Sequence, residues 1–255
     1  MLQAALFENA HVRIYRSNEA LGQAAADHAA SLIQSAIANF GRARIMVATG
    51  NSQLTLATAL ALHDEIDWRH VEVFHMDEYA GISSNHPSSF RYWIRTRIEE
   101  KVHPGRMEYI EGDASDLTAE AARYSALLAE APIHLAFVGF GENGHIAFND
   151  PGVADFEDPL AVKLVALDDA SRRQQAGEGH FPDFDSVPRE ALTVTCSSLF
   201  RADAWVCAVP ERRKAEAVCR ALTGPITPAC PASIVRRHPN ATVYLDPESS
   251  SLLGS

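Results

Sequence analysis

The chain has 255 residues, 47% hydrophobic and 22% charged. That composition suits a soluble globular protein with a large core and excludes disorder, collagen and disulfide scaffolds. Twenty-two Lys and Arg against 33 Asp and Glu give a formal net charge of -11. Such a field repels polyanions, so neither nucleic acid nor membrane is expected as a partner, whereas a small phosphorylated metabolite needs only a few local donors.

The first stretch, MLQAALFENAHVRIY, has no basic start, and Glu8 interrupts its apolar run. No signal or transit peptide is expected, and no uncharged run approaches the roughly 20 apolar residues of a spanning helix. The expected location is the cytoplasm. A β run at residues 12–15 leads to Ser17 or Asn18 as a helix cap. Leu21, Ala25, Ala29, Leu32, Ile33, Ala36, Ile37 and Phe40 then recur at helical spacing up to Gly41, a stop signal.

A second β run, residues 44–49, turns at Gly50-Asn51-Ser52 into a helix over residues 53–63, and a third, residues 71–74, opens into a loop over residues 77–87. Helices are predicted at residues 88–102 and 116–130. The most apolar run, residues 133–139, has the unbroken hydrophobicity of a central parallel strand. Further β runs fall at residues 161–165, 191–196, 205–209 and 242–245, with helices at 211–222 and 232–237. Residues 170–188, polar and carrying Gly and Pro, read as an irregular insertion or lid. This alternation predicts an α/β fold: a single domain, residues 1–255, with a mostly parallel open sheet and helices on both faces.

Cys196, Cys207, Cys219 and Cys230 form no CxxC pair, which fits neither a zinc ribbon nor a thioredoxin motif; buried reduced thiols are expected. Gly139, Gly141 and Gly144 spell GxGxxG after a strand. A dinucleotide turn needs a helix to start there, and the nearby Asn149-Asp150-Pro151-Gly152 instead predicts a turn. Thr49, Gly50, Asn51 and Ser52, between strand and helix, suit an anion site or simply a cap. Asp77 and Glu78 end a β run, where carboxylates face either ligand or solvent. Asn143, His145 and Asp150 share the glycine-bounded loop, where the histidine is either a positioned acid/base or a structural residue.

Taken in order and spacing, VATGNS, HMDEYAGISSNHPSSF and GFGENGHIAFNDPG resemble the glucosamine-6-phosphate deaminase family over roughly residues 10–245. The resemblance implies a Rossmann-like fold and conversion of an amino sugar phosphate, foremost glucosamine 6-phosphate, to fructose 6-phosphate and ammonia, without metal or organic cofactor. It makes Asp77 the base that moves a proton between C2 and C1. His145 becomes the ring-opening group, with Asp150 assisting, and Thr49, Gly50, Ser52 and Lys214 hold the phosphate. The related 6-phosphogluconolactonases usually read GHTAS where this chain has His145-Ile146-Ala147-Phe148-Asn149. Asn143 and Asp150 stand where the family has aspartate and glutamate; Asn51 and Gln53 stand where it commonly has Gly and Pro. Its phosphate-binding arginine falls near Gln175, leaving Arg172 or Arg173 as substitutes. Lactone hydrolysis and sugar-phosphate sensing without turnover are the alternative functions, and the family's hexameric members leave a homo-oligomer open.

Overall fold

The computed structural model describes residues 1–177, Gly179 and residues 181–254. The chain opens with β1 (Gln3–Phe7) and β2 (Ala10–Ile14) and enters α1 (Asn18–Phe40). Ser17 caps α1 by accepting from the Ala20 N–H, and Gly41 closes it at φ 75°, donating to the Ile37 carbonyl. Leu21, Ala25, Ala29, Ile33 and Ala36 form its buried stripe. Next come β3 (Ala43–Val47), a short 3-10 turn (Asn51–Gln53), α2 (Leu54–Leu60), β4 (Val71–His75) and β5 (Asp77–Tyr79). The helix predicted at residues 88–102 is present as α3 (Phe90–Ile94), a π-helical turn (Arg95–Glu99) and α4 (Glu100–Val102).

The second half holds β6 (Arg106–Glu108), α5 (Leu117–Ala129), β7 (Leu135–Val138), β8 (Val162–Ala166), α6 (Asp169–Gly177), β9 (Glu190–Val194), α7 (Cys196–Leu199), β10 (Trp205–Val209), α8 (Ala215–Thr223) and β11 (Ala241–Leu245). Eight strands make one sheet in the order β1-β2-β11-β10-β7-β3-β4-β6. Every neighbour pair in it is parallel except β1 with β2. One face carries α1 and α2 over a core including Ile45, Val73 and Phe137; the other buries Tyr124 of α5, Leu199 of α7 and Val218 of α8 with Met46 and Val138. The Rossmann-like α/β expectation holds.

Several local expectations change. The two edge strands β1 and β6, the short β5 inside the predicted loop and the one-turn helix α7 were not foreseen. The runs near residues 161–165 and 191–196 leave the main sheet and join β5 in a separate antiparallel sheet, β5-β9-β8, because strand pairing at such separation has no local signature. The start of the supposed irregular insertion is helical as α6, in line with the helix propensity of its Arg, Gln and Ala; residues 178 and 180 within that insertion lie outside the described residues. The helix near residues 232–237 is a 3-10 helix, Pro231–Arg237.

Candidate active site

The strands β10, β7, β3 and β4 are adjacent, and their carboxyl ends open into one cleft of about 670 Å³, counted to its open mouth. Ligands of open α/β sheets bind at this edge. The β3 exit supplies Thr49, Gly50, Asn51 and Ser52; β4 leads to Asp77; the β7 exit supplies Gly139, Gly141 and His145; the turn after β10 supplies Arg213 and Lys214. Gly50 sits at φ 96°, ψ 175°, a conformation only glycine adopts readily, so the loop turns sharply there with its backbone against the cleft. The buried Gln53 ties this loop to the sheet: its amide donates to Ser52 Oγ at 3.0 Å and to the Ala208 carbonyl at 3.1 Å.

Asp77 begins β5, where the chain steps from the parallel sheet to the antiparallel one. It is 7% exposed, and burial, then the neighbouring Glu78 charge, hold its carboxyl well above the usual carboxylate range. Glu78 is fully buried and faces away from the cleft lining. It accepts from Ser89 Oγ at 2.7 Å, from the N–H groups of Arg91, Phe90 and Tyr79, and pairs with the Arg91 guanidinium. Those bonds partly offset the upward push of burial on its own carboxyl. The adjacent His75 is pushed down to about 3 by burial, so it is a neutral core residue whose Nε2 accepts from the Ile110 N–H.

His145 lies on the opposite loop. Its Nδ1 is 2.9 Å from Asp150 Oδ1, and Asn143 serves both neighbours, donating from Nδ2 to Asp150 Oδ1 at 2.9 Å and accepting the His145 N–H on Oδ1 at 2.9 Å. Asn143 and Asp150 therefore stand behind the imidazole, and His145 itself lines the cleft. Gly141 makes room for it: a Cβ there would lie 2.3 Å from the ring. Ala147, also at the cleft, takes the left-handed conformation at φ 51°, a strained arrangement of the kind that clusters at functional sites. No helix starts after Gly144; residues 146 and 149 instead close a small bridge, as the turn reading of this glycine loop expected.

Asn149, read from the sequence only as part of a turn and a family motif, and Thr193, not singled out, tie the His145 loop to β9. Asn149 Nδ2 donates to the carbonyls of Ile146 and Val194, each at 2.9 Å, and Thr193 Oγ1 accepts from the Phe148 N–H at 3.1 Å. Thr193 is also the register partner of Asp77 in the small sheet. One strand, β9, thus sets the His145 loop and Asp77 relative to each other.

The expectation for Arg172 is corrected. Its guanidinium donates to the carbonyls of Val187 and Phe184 and lies 4.1 Å from the Phe184 ring centre, so it anchors α6 and does not line the cleft. Gln175, one helical turn along, does line it, with its Oε1 accepting from Tyr79 Oη at 2.8 Å. Arg213 at the cleft was also missed; it hides in the run Arg212-Arg213-Lys214, where sequence cannot say which cation turns inward. Among the described residues no cluster of His, Cys, Asp or Glu could hold a metal ion, and all four cysteines are free thiols. Cys219 is partly exposed and the other three are buried. Among the described residues no helix is long and apolar enough to cross a membrane.

Residues 16–244 match the family of glucosamine-6-phosphate isomerases and 6-phosphogluconolactonases. A glucosamine-6-phosphate deaminase of Listeria monocytogenes serotype 4a (strain HCC23) is 35% identical over 207 residues, covering 81% of this chain and 86% of the relative. One of Bacillus cytotoxicus is 32% identical over 243 residues, covering 95% and 88%. The solved structure of a monomeric glucosamine-6-phosphate deaminase superposes with a TM-score of 0.87 at 31% identity, covering 94% of this chain and 99% of the other. A putative 6-phosphogluconolactonase from Neisseria gonorrhoeae, at 20% identity and a TM-score of 0.73 over 92% of this chain and 98% of the other, shares the fold. Extent of match, identity and architecture agree: the chain belongs to the family of glucosamine-6-phosphate isomerases and 6-phosphogluconolactonases.

Proposed function

We propose that the chain deaminates and isomerises an amino sugar phosphate, foremost glucosamine 6-phosphate, to fructose 6-phosphate and ammonia. The observation that carries this reading is a pair of unlike acid/base groups lining one cleft, the buried Asp77 and the Asp150-backed His145, together with the Thr49–Ser52 loop and Lys214.

An aldose-to-ketose shift needs both groups. His145 moves a proton between the anomeric hydroxyl and the ring oxygen, which breaks the C1–O5 bond and opens the sugar. Asp77 then takes the C2 proton while the aldehyde oxygen gains one, leaving a C1=C2 enolamine, and returns its proton to C1. The resulting protonated C2 imine adds water and expels ammonia, releasing the proton that the aldehyde oxygen had gained. Burial suits Asp77 to this exchange, since raising its proton affinity above the usual carboxylate range makes it a stronger base for the C2 proton. The Thr49–Ser52 loop and Lys214 hold the distant phosphate, and that binding energy orients C1 and C2.

A single working domain, residues 1–255, is supported by the core that Val162, Leu192 and Val194 of the small sheet share with Met46 and Val138 of the large one. Water consumption makes the reaction a hydrolytic deamination, fitting amino sugar breakdown, including that of N-acetylglucosamine once deacetylated. Four free thiols suit the reducing cytoplasm.

The test is release of ammonia and ketose phosphate from glucosamine 6-phosphate, galactosamine 6-phosphate and 6-phosphogluconolactone, with His145→Ala as control. Ammonia and fructose 6-phosphate from the first substrate, reduced at least about 100-fold in the variant, are expected. Turnover of the lactone with no ammonia from either amino sugar would overturn the reading.

A further inference from the structure

We propose that Arg213 is a second phosphate-binding side chain of the cleft, and that Glu142 is the counter-ion it exchanges for the phosphate. The inference rests on the sugar phosphate reading above, and it concerns only the anion-binding end of the site.

The local backbone sorts three consecutive cations. After β10 the chain passes Glu211 at φ 81°, a conformation rarely taken by a residue with a side chain. The Glu211 N–H donates to Asp246 Oδ2 at 3.0 Å, which pins the turn. The 3-10 turn Arg212–Lys214 follows. Arg212 is directed outward to Ser251, whereas Arg213 and Lys214 both line the cleft, Lys214 almost fully buried.

Arg213 is already aimed. Its Nε donates to Glu211 Oε2 at 2.6 Å, and its Nη1 lies 3.5 Å from Glu142 Oε1 on the loop that carries His145. The first contact has the length of a strong charge-assisted bond and fixes the side chain; the second is longer than such bonds, so a phosphate oxygen can replace Glu142 at Nη1 with a gain. A sugar phosphate carries nearly two negative charges at neutral pH, while the cleft also presents Asp77, so one ammonium leaves the anion under-compensated. A guanidinium adds a planar fork that matches two phosphate oxygens. Other donors are weaker or elsewhere: Arg172 is committed to the Val187 and Phe184 carbonyls, and Gln175 brings a neutral amide.

Inorganic phosphate is the probe, titrated calorimetrically into the wild type, Arg213→Ala, Arg213→Lys and Glu142→Gln, alongside steady-state kinetics on glucosamine 6-phosphate. Arg213→Ala is expected to weaken phosphate binding and raise KM by about tenfold or more, with kcat within about threefold. Arg213→Lys should fall between it and the wild type, and Glu142→Gln should bind phosphate more tightly than the wild type. Unchanged phosphate affinity in Arg213→Ala, or a fall in kcat at unchanged KM, would overturn the assignment. Unchanged or weaker affinity in Glu142→Gln would overturn the exchange. Should Arg213→Ala melt well below the wild type, Arg213→Lys decides alone, with wild-type affinity counting against the proposal. Phosphate binding is read without turnover, so a wild type that binds phosphate but releases no ammonia leaves Arg213 standing and removes the deaminase reading. A wild type that deaminates without binding phosphate does the reverse.

Discussion

The carboxyl edge of the large sheet and the three-stranded sheet beside it build the same cleft by different means. Along the large sheet the loops that line the cleft leave directly from the strand ends, as Thr49 follows β3 and Gly141 follows β7, so the parallel strands deliver their loops to one edge. The small sheet collects its strands from distant parts of the chain: β5 pairs with β9, and β9 with β8. The first region carries the Thr49–Ser52 loop, Lys214 and the His145 loop, and the second holds the desolvated Asp77 carboxyl at its border. On the function proposed above, separate construction would let the phosphate site and the base be altered independently, with β9 as the link between them.

The largest test of that division is Asp77→Asn. On the proposed reading, removing the Asp77 carboxyl is expected to lower kcat by about 10²–10⁴-fold while phosphate affinity, assigned to the other region, stays within about twofold. Matched loss of both would merge the two regions into one. The wild-type rate should climb with pH as Asp77 ionises, and the climb should lie above the usual carboxylate range because burial raises this pKa. For stability the sign is opposite. The folded chain holds this proton more tightly than the unfolded chain, so between the ordinary and the raised pKa folding stability declines as pH increases. Asp77→Asn should therefore melt higher than the wild type at neutral pH, and the gap should close in acid; thermal denaturation across pH reads both.

Gly141→Ala probes the large-sheet side with one added methyl. A Cβ at 2.3 Å from the His145 ring forces the imidazole or its loop to move, and a displacement of about 1 Å costs roughly 100-fold in rate. The loss should appear in kcat, with phosphate affinity retained because Thr49–Ser52 and Lys214 are untouched. A wild-type kcat would show that His145 can shift without consequence, which contradicts a ring held for proton transfer.

What was legible in the sequence follows the same border. The helix from Ser17 to Gly41, the turn at Gly50 and the strand before Gly139 are local patterns, so the central strands of the large sheet and most residues at their exits could be read directly. The partner strands of Asp77 could not, because Thr193 lies more than a hundred positions away and pairs through backbone hydrogen bonds that any side chain permits. Arg172 shows the opposite error: it is a cation in the right stretch of chain, yet its guanidinium is spent on the carbonyls of Phe184 and Val187. Arg213 sits beside Lys214 in sequence, but only the Glu211 turn reveals that it faces inward.

The finest test concerns Asn143, which bridges His145 and Asp150. Here its amide both accepts the His145 N–H and donates to Asp150 Oδ1 at 2.9 Å, so one side chain fixes the loop and neutralises part of the demand of the shorter acid behind the imidazole. Asn143→Asp keeps the acceptor and replaces the donor with a second carboxylate at that separation, where like charges repel. The expected loss in kcat is about three- to tenfold at neutral pH, shrinking as the pH is lowered and the two carboxylates come to share a proton. Adding Asp150→Glu, which gives the second acid another methylene in which to turn away, should restore most of that loss. Recovery in the double variant would mean that Asn143 and Asp150 work as a matched pair on the large-sheet side; a wild-type single variant would mean that the amide contributes geometry alone.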